Sequence, residues 1–245
     1  MKKERLDLRL VTLGLASTRS RAQAMIMAGN VLVDDEPITK AGALVTVEAL
    51  IRLKKKEDPY VSRAAYKLLG ALDAFSISVK DCLALDIGAS TGGFTQVLLE
   101  RGALKVIALD VGTNQLHWEI RNDPRVVVME KINAKNLTPA QLEYAPDLIV
   151  VDVSFIGLEA ILPAIVEVMK PAGTVITLIK PQFEVGRSKV GKGGIVTDQV
   201  ATQESIERIR QKALSLGLRR LGLIESPLKG TDGNQEYLAA WVRDE

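Results

Sequence analysis

The sequence predicts an α/β protein with two domains, a small N-terminal α+β domain and a larger one built on a mostly parallel sheet. Three observations support this prediction. Short apolar runs alternate with helical patterns over most of the chain, positive charge is concentrated near its start, and a charged stretch ending in Pro59 separates the two regions. Such alternation is typical of a parallel sheet with helices on both faces. We therefore place the domains at residues 1–53 and 60–245, joined by a linker at residues 54–59.

The composition is that of an ordinary folded protein, because 47% of the 245 residues are hydrophobic and 25% are charged. These proportions exclude a disordered chain or a disulfide scaffold. With one cysteine, Cys82, and one histidine, His117, the chain can form neither an internal disulfide nor a zinc site of four thiolates nor a metal centre of several histidines. We expect no structural metal and a reducing, cytoplasmic setting.

The apolar stretches do not fit a membrane protein. Residues 2–9 are rich in charged side chains where a signal peptide would have its apolar core. The most apolar region, residues 148–169, contains Asp152, Glu159 and Glu167, whereas a spanning helix needs about 20 consecutive apolar residues. We expect no export by this route, no transmembrane helix and no membrane partner.

Charge is distributed unevenly along the chain. Residues 1–56 hold 11 Lys/Arg against 6 Asp/Glu, a net charge of +5, and residues 57–245 hold 21 against 24, a net charge of −3. A compact basic module on a near-neutral body suggests contact with a nucleic acid. Charge alone also allows an ordinary solvated surface.

The first domain is predicted to consist of two helices followed by a small sheet. Apolar spacing predicts a helix over residues 5–15 and a second over residues 20–28, with Ser17 or Thr18 as the cap of the second. Short strands are predicted at residues 31–33, 37–38 and 45–47.

Three motifs occur in order in this part: Arg-Leu-Asp near the start, Ser-Thr-Arg-Ser-Arg-Ala at the second helix, and Gly-Asn-Val-Leu-Val-Asp-Asp-Glu-Pro after it. Over about residues 5–53, their order resembles the RNA-binding domain named after ribosomal protein S4. Four arginines can place guanidinium groups on one helical surface, where such groups bind RNA phosphates in bidentate fashion. The predicted RNA-binding residues are Arg5, Arg9, Arg19 and Arg21.

The second domain is predicted from short runs of branched apolar residues. These predict strands at residues 82–87, 106–110, 126–130, 148–152 and 175–179. Helical patterns between and after them lie at residues 95–101, 158–169 and 202–216.

A glycine-rich turn follows the first of these strands, at residues 88–94. Glycines let the backbone approach a ligand closely, and ligands of open α/β sheets bind at the carboxyl ends of the strands. The turn lacks the Lys-Ser/Thr ending of a phosphate-binding loop and is not a strict Gly-x-Gly-x-x-Gly. Asp110 ends the second strand, 24 residues beyond Asp86, where a carboxylate can accept hydrogen bonds from both hydroxyls of a ribose.

The two acids and the glycines resemble the S-adenosylmethionine site of class I methyltransferases, whose fold is Rossmann-like. The resemblance implies that residues 86–93 surround the methionine and sulfonium, that Asp110 binds the ribose, and that residues 130–133 lie beside the adenine. For Asn133 a turn-forming role stays open. The predicted cofactor-binding residues are Asp86, Gly88, Ala89, Ser90, Thr91, Gly92, Gly93, Asp110, Val111 and Asn133.

Four polar residues stand where polar side chains are costly or unexpected. Lys67 lies in a helix pattern, Asp152 and Lys180 end apolar strands, and Glu236 precedes the last apolar strand. Strand ends at one sheet edge converge, so these residues are candidates for one site. A ribose hydroxyl reacts once its proton is removed, and we take Lys180 as the base, with Lys67 stabilising the oxyanion and held by Asp152 or Glu236. Ordinary surface ion pairs are the alternative.

The motifs around these residues are Ser-Arg-x-x-x-Lys-Leu at 62–68, Asp-Val-Ser-Phe-Ile at 152–156, Ile-Lys-Pro-Gln-Phe-Glu at 179–184 and Gly-Asn-x-Glu-Tyr at 233–237. They resemble the TlyA family, also called hemolysin A, in sequence and in order. The resemblance implies an S4-like domain before an FtsJ-like ribose 2′-O-methyltransferase domain, with a Lys-Asp-Lys-Glu tetrad on Lys67, Asp152, Lys180 and Glu236. It further implies S-adenosylmethionine as cofactor and cytidine in ribosomal RNA or ribosomal subunits as substrate. At residues 64–65 two alanines replace the family's more usual glycines.

Residues 185–194 mix four glycines with three cations. They can order on RNA phosphates or form a plain surface loop. Aromatic residues make up only 4% of the chain, so we expect base stacking to be a minor part of substrate binding. Two other functions stay open: a non-catalytic RNA-binding or ribosome-assembly factor, and the membrane-active protein of the older family name, which the lack of a basic amphipathic helix disfavours.

Overall fold

A computed structural model of the chain describes residues 2–54 and 58–243. The chain divides into two compact units, Met1–Pro59 and Tyr60–Glu245. Residues 55–57 of the predicted linker lie outside the described residues, so the linker stays a prediction.

In its described residues, 2–54 and 58–59, the first unit contains five short strands and two helices. The strands are β1 (Lys3–Arg5), β2 (Val31–Val33), β3 (Glu36–Pro37), β4 (Leu44–Thr46) and β5 (Ile51–Leu53), and the helices are α1 (Leu6–Thr12) and α2 (Arg19–Met27). β1 pairs with β4, and β2 lies between β3 and β5. Helix α1 begins one residue later than predicted, because Arg5 pairs with Leu44 in a strand. Thr18 caps α2, as its hydroxyl accepts a hydrogen bond from the Arg21 backbone N–H at 3.2 Å.

Both helices of this unit bury one apolar face against the short strands. Leu6 and Leu10 of α1, Ala22 and Ile26 of α2, and Val31 of β2 are completely buried. These residues form a small core of their own. Burial of each large aliphatic side chain contributes about 1.5–3 kcal/mol to the stability of the fold.

Over residues 60–243, the second unit contains seven strands and six α-helices, besides four short 3-10 helices. The strands are β6 (Leu83–Ile87), β7 (Lys105–Asp110), β8 (Val126–Glu130), β9 (Leu148–Val151), β10 (Thr174–Ile179), β11 (Leu218–Glu225) and β12 (Tyr237–Arg243). The helices are α3 (Ala64–Ala74), α4 (Gly93–Glu100), α5 (Trp118–Arg121), α6 (Leu158–Val168), α7 (Pro181–Glu184) and α8 (Gln199–Ser215). The strand order is β11-β12-β10-β9-β6-β7-β8, in which only β12 runs antiparallel to its neighbours.

The sheet is covered on both faces, as the alternation predicts. Side chains of successive strand residues point to opposite faces. On β6, Leu85 and Ile87 pack with α6 and α8, whereas Ala84 packs with α3 and α4. The fold is therefore a Rossmann-like α/β sheet with an added antiparallel hairpin, and this confirms the predicted fold class.

The strand register determines which residues meet at the carboxyl edge. Ile87 of β6 lies opposite Val151 of β9, so the following Gly88 and Asp152 are neighbours. Ile179 of β10 lies opposite Tyr237 of the antiparallel β12. Lys180, which follows β10, and Glu236, which precedes β12, are consequently brought to the same edge.

Within the described part of the chain, no helix is both long and apolar enough to cross a membrane.

Candidate active site

The four predicted catalytic residues form two ion pairs. The Lys67 ammonium donates to Glu236 Oε2, and Lys180 Nζ lies 2.6 Å from Asp152 Oδ1. Lys180 Nζ also donates to Ser154 Oγ at 3.0 Å. All four residues of the pairs line one cavity of about 360 Å³. The structure therefore brings them together, and it pairs Lys67 with Glu236.

The two pairs differ in their surroundings. Lys67 and Glu236 are buried, with side-chain exposures of 11% and 3%, because α3 packs against the start of β12. Lys180 and Asp152 are slightly more open, at 13% and 17%. A buried ion pair needs both partners, since one charge left alone in the interior is very unfavourable. Lys67 is thus held in the cavity wall by its buried partner Glu236, while Lys180 lies at the end of β10.

The glycine-rich turn forms the next wall of this cavity. Gly88 has φ +87°, and a Cβ there would lie 2.2 Å from the Asp152 carbonyl oxygen. A Cβ on Gly93 would lie 2.2 Å from Ser62 Oγ. Only glycine fits at Gly88, whereas a side chain at Gly93 would require Ser62 to move. Of the predicted cofactor residues, the following line this cavity: Gly88, Ala89, Ser90, Thr91 and Gly93.

Two predicted cofactor residues lie behind the turn instead of facing a cavity. Gly92 packs toward α5 and the residues before it, since a Cβ would lie 2.9 Å from Leu116 and 3.2 Å from Ile120 of α5. Asp86 is completely buried, and its Oδ2 accepts a hydrogen bond from Thr95 Oγ1 at 2.6 Å. Because Asp86 lies within β6 and not at its end, its carboxyl group supports the first turn of α4 from below. The predicted role of Asp86 at the cofactor site stays a prediction.

The environment of Asp86 makes a pH effect predictable. Burial raises its pKa from 3.8 to about 7, although the Thr95 hydrogen bond opposes this shift. Between pH 4 and 7 the folded state therefore keeps a proton that the unfolded state has lost. Stability falls as pH rises through this window, by up to about 1.4 kcal/mol per pH unit, and this fall ends above the folded pKa.

We predict that Asp86→Asn removes this component, because an amide does not titrate. Urea unfolding of both proteins at pH 5, 6, 7 and 8, followed by fluorescence of the buried Trp241, measures the difference in slope. Identical pH slopes would contradict the prediction, whereas a constant offset between the two proteins would not.

A second cavity of about 450 Å³ lies beside the first, and both are lined by Gly88, Ser90 and Asp152. Predicted residues Asp110, Val111 and Asn133 line this second cavity.

Asp110 is held in place by two backbone groups. Its carboxylate accepts hydrogen bonds from the N–H groups of Ser90 at 2.8 Å and Gly112 at 2.7 Å. Each carboxylate oxygen can accept a further bond, so Asp110 keeps capacity for hydroxyl donors. Asn133 also takes the turn role that the sequence left open, since its Oδ1 accepts from the Lys135 N–H at 3.0 Å.

The rim of the second cavity carries an aromatic ring that the sequence analysis did not select. Phe155 is 91% exposed and has φ +66°. Its ring lies against Phe183, with 5.1 Å between ring centroids. A large apolar side chain exposed beside a cavity is a contact surface for a flat apolar partner. The Asp-Val-Ser motif directly before Phe155 could have drawn attention to this position, but the motif does not show that the ring is exposed.

In the first unit, one buried carboxylate organises two of the predicted RNA-binding arginines. Asp7 is completely buried and binds Arg5 through two hydrogen bonds of 2.9 and 3.0 Å, and Arg19 Nε at 3.0 Å. The Arg5 hydrogen bonds are the main cause that lowers the pKa of Asp7. Arg5 and Arg19 keep side-chain exposures of 42% and 52%. They are therefore held in fixed positions at the surface.

The other two predicted arginines are placed differently. Arg21 is exposed on α2. Arg9 is turned inward, because its guanidinium donates to the Val47 carbonyl oxygen at 2.8 Å and its side chain is only 17% exposed. Arg9 therefore stabilises the fold of this unit. The sequence suggested one surface shared by the arginines, but Arg9 does not share a surface with Arg5 and Arg19.

Among residues 2–54 and 58–243, no three His, Cys, Asp or Glu side chains are grouped so that they could hold a metal ion.

Residues 60–243 match the family model described as FtsJ-like methyltransferase, and residues 4–51 match the S4 domain. The chain is 46% identical over 243 residues to the 16S/23S rRNA (cytidine-2′-O)-methyltransferase TlyA of Mycobacterium tuberculosis, covering 99% of this chain and 90% of that protein. It is 42% identical to Hemolysin A of Brachyspira hyodysenteriae, covering 97% and 99%. A solved structure of a hemolysin-like protein from Streptococcus thermophilus superposes with a TM-score of 0.76 at 41% identity, covering 100% of this chain and 90% of that one.

Proposed function

Since the chain belongs to the TlyA family, FtsJ-like methyltransferases with an N-terminal S4 domain, we propose that it methylates the 2′-hydroxyl of cytidine in ribosomal RNA. S-adenosylmethionine is the methyl donor in this proposal, and ribosomal subunits in the cytoplasm are the substrate. The observation that carries the proposal is the convergence of two lysine–acid pairs beside a glycine-rich turn at the sheet edge.

The residues of the two cavities fit such a cofactor. Gly88 leaves no room for a side chain beside the Asp152 carbonyl oxygen, so the turn presents bare backbone to both cavities at this point, and Asp110 keeps lone pairs for the hydroxyls of a ribose. We propose that the turn at residues 88–93 holds the amino-acid end and that Asp110, Val111 and Asn133 hold the nucleoside end. When bound, S-adenosylmethionine supplies a methyl group activated by a sulfonium.

The chain's own groups then have distinct tasks. Once the Lys180 ammonium has released its own proton to solvent, its amine would accept the proton of the 2′-hydroxyl, and the activated oxygen would be the acceptor for the methyl group. Asp152 and Ser154 hold Lys180 Nζ in position through contacts of 2.6 and 3.0 Å. Lys67 remains charged through its pair with Glu236 and stabilises the developing oxyanion.

The first unit supplies an anchor for RNA in this proposal. The guanidinium groups of Arg5 and Arg19 are oriented by Asp7 and exposed, which lowers the entropy lost when they bind phosphates. Arg21 adds a third exposed cation on the same helix as Arg19. Binding through phosphates depends strongly on salt concentration. Such contacts fix where the protein sits on the RNA and do not read the identity of the bases.

We predict that Phe155→Ala lowers kcat/KM for ribosomal subunits about tenfold, because stacking of one base on an aromatic ring contributes about 1–3 kcal/mol. Phe155→Tyr should retain most of the activity. The matched control is Leu221→Ala, which truncates another exposed apolar side chain, 48% exposed, outside both cavities. Equal activity of the alanine variant and the unaltered protein would show that the ring does not contact the substrate.

The proposed function is tested by expressing the chain in a bacterial host whose ribosomal RNA lacks 2′-O-methylcytidine. Nucleosides from purified 16S and 23S RNA are then separated by chromatography and identified by mass spectrometry. We expect 2′-O-methylcytidine with the unaltered chain and none with Lys180→Ala. No new nucleoside, despite RNA and cofactor binding by the purified protein, would favour a non-catalytic RNA-binding factor.

A further inference from the structure

The side chain of Asn234 joins two distant segments of the second unit. It is 2% exposed. Its Oδ1 accepts a hydrogen bond from the Val196 N–H at 2.8 Å, and its Nδ2 donates to the Gly194 carbonyl oxygen at 2.8 Å. A single buried amide thus fixes the backbone on both sides of Ile195, as a strand partner would.

Asn234 also closes a loop that forms part of the wall of the catalytic cavity. Its carbonyl oxygen accepts a hydrogen bond from the Gly230 N–H at 2.9 Å. Gly230 lies close against the carboxylate of Glu236, since a Cβ there would be 2.6 Å from Glu236 Oε1. Lys229 and Thr231, on either side of Gly230, line the cavity. The position of Glu236 therefore depends on a loop that Asn234 closes.

The segment held by Asn234 is the glycine-rich basic stretch that ends at Gly194. Arg187 and Lys192 are exposed on it, and neither forms an ion pair with any residue in the described part of the chain. Lys189 pairs with Glu204 at 3.2 Å. Exposed cations on a glycine-rich backbone suit the phosphates of RNA.

Both ends of this stretch connect to catalytic residues. It begins after α7, which directly follows Lys180, and it ends at the two backbone groups that Asn234 binds. A phosphate held by Arg187 or Lys192 would therefore restrain a segment that is connected to both ion pairs. The segment is linked to one pair along the chain and to the other through Asn234.

We propose that Asn234 is a positioning residue that couples RNA phosphates on residues 186–194 to Glu236 and, through it, to Lys67. This inference rests on the proposed function and adds a second RNA contact that acts on the catalytic step. Binding of RNA to the basic stretch then raises kcat and not only affinity.

The coupling is measured with a double-mutant cycle. The variants are Asn234→Ala, the pair R187Q/K192Q, and their combination, and Asn122→Ala is the control because it removes an exposed asparagine side chain bonded only to Trp118. Initial rates of methyl transfer at varied concentrations of unmodified subunits give kcat and KM, and cofactor affinity is measured separately. We expect Asn234→Ala to lower kcat about tenfold with unchanged cofactor affinity. Removal of the loop cations should then lower kcat no further.

Additive effects on kcat, or a normal kcat for Asn234→Ala, would overturn the inference while leaving the proposed function intact. Absence of transfer by the unaltered protein would instead contradict the proposed function.

Hydrogen exchange on the unaltered chain provides a test that needs neither activity nor a stable Asn234 variant. With RNA bound, we expect slower exchange in peptides covering residues 186–196 and 226–236, and loss of the protection of both in R187Q/K192Q. Protection of the first peptide alone, or protection of the second that survives in R187Q/K192Q, would contradict the coupling.

Discussion

Replacing Lys180 with methionine is expected to lower kcat for methyl transfer by about 10²- to 10⁴-fold, the usual contribution of a general base. Methionine keeps the length and apolar stem of lysine and removes only the group that accepts the proton. Cofactor affinity should remain within about twofold, since Lys180 Nζ contacts Asp152 and Ser154 within the protein. Single-turnover transfer to unmodified ribosomal subunits at saturating concentrations measures the change.

A matched control separates loss of the base from loss of an ion pair. Lys170 forms a pair of similar length with Asp147, at 2.7 Å and with side-chain exposures of 39% and 36%, and it lines neither cavity. Lys170→Met should leave kcat unchanged. If Lys180→Met retained a tenth or more of the activity, Lys180 would not be the base.

The second large effect concerns stability. Glu236→Leu leaves the Lys67 ammonium buried without its carboxylate, which is expected to lower the free energy of unfolding by about 3–5 kcal/mol. Replacing both partners, as Lys67→Met with Glu236→Leu, should restore most of this stability, because two apolar side chains need no partner. Both variants should be inactive, since the single variant lacks the carboxylate that holds Lys67 and the double variant lacks both groups. Urea unfolding and methyl transfer are measured on the same preparations.

An exposed pair provides the comparison for this effect. Arg101 and Asp73 lie 2.9 Å apart with side-chain exposures of 42% and 64%. Asp73→Asn should change stability by less than about 1 kcal/mol. If the double variant at Lys67 and Glu236 were no more stable than Glu236→Leu, the loss would come from packing and not from an unpaired charge.

The central parallel strands were predictable because their residues are buried on both faces and read as continuous apolar runs. β11 was not predicted. It lies at the edge of the sheet, and its sequence includes the polar pair Arg219-Arg220 and the bulge before Gly222. The start of α1 was misplaced for a similar reason, since only the pairing of Arg5 with Leu44 identifies a strand there. Such partners are distant in sequence and leave no local pattern.

The site was predictable where chemistry follows topology. Asp152 and Lys180 end parallel strands, and strand ends meet at one edge. The complete burial of Asp86 was not predicted, because its position within β6, directly before the last strand residue Ile87, and not at the strand end, became clear only from the structure. Phe155 and Asn234 could not be identified, since the exposure of one and the hydrogen bonds of the other depend on loops that only the folded chain brings together.

The most direct test of the proposed chemistry is the alkali resistance of the methylated RNA. Purified protein is incubated with unmodified ribosomal subunits and S-adenosylmethionine labelled in its methyl group, and the recovered RNA is hydrolysed with alkali. A methyl group on the 2′-oxygen blocks cleavage at that nucleotide, so we predict label in dinucleotides that begin with cytidine. Label in mononucleotides would place the methyl group on a base, and absence of label from both subunits would contradict the proposed methylation of ribosomal RNA.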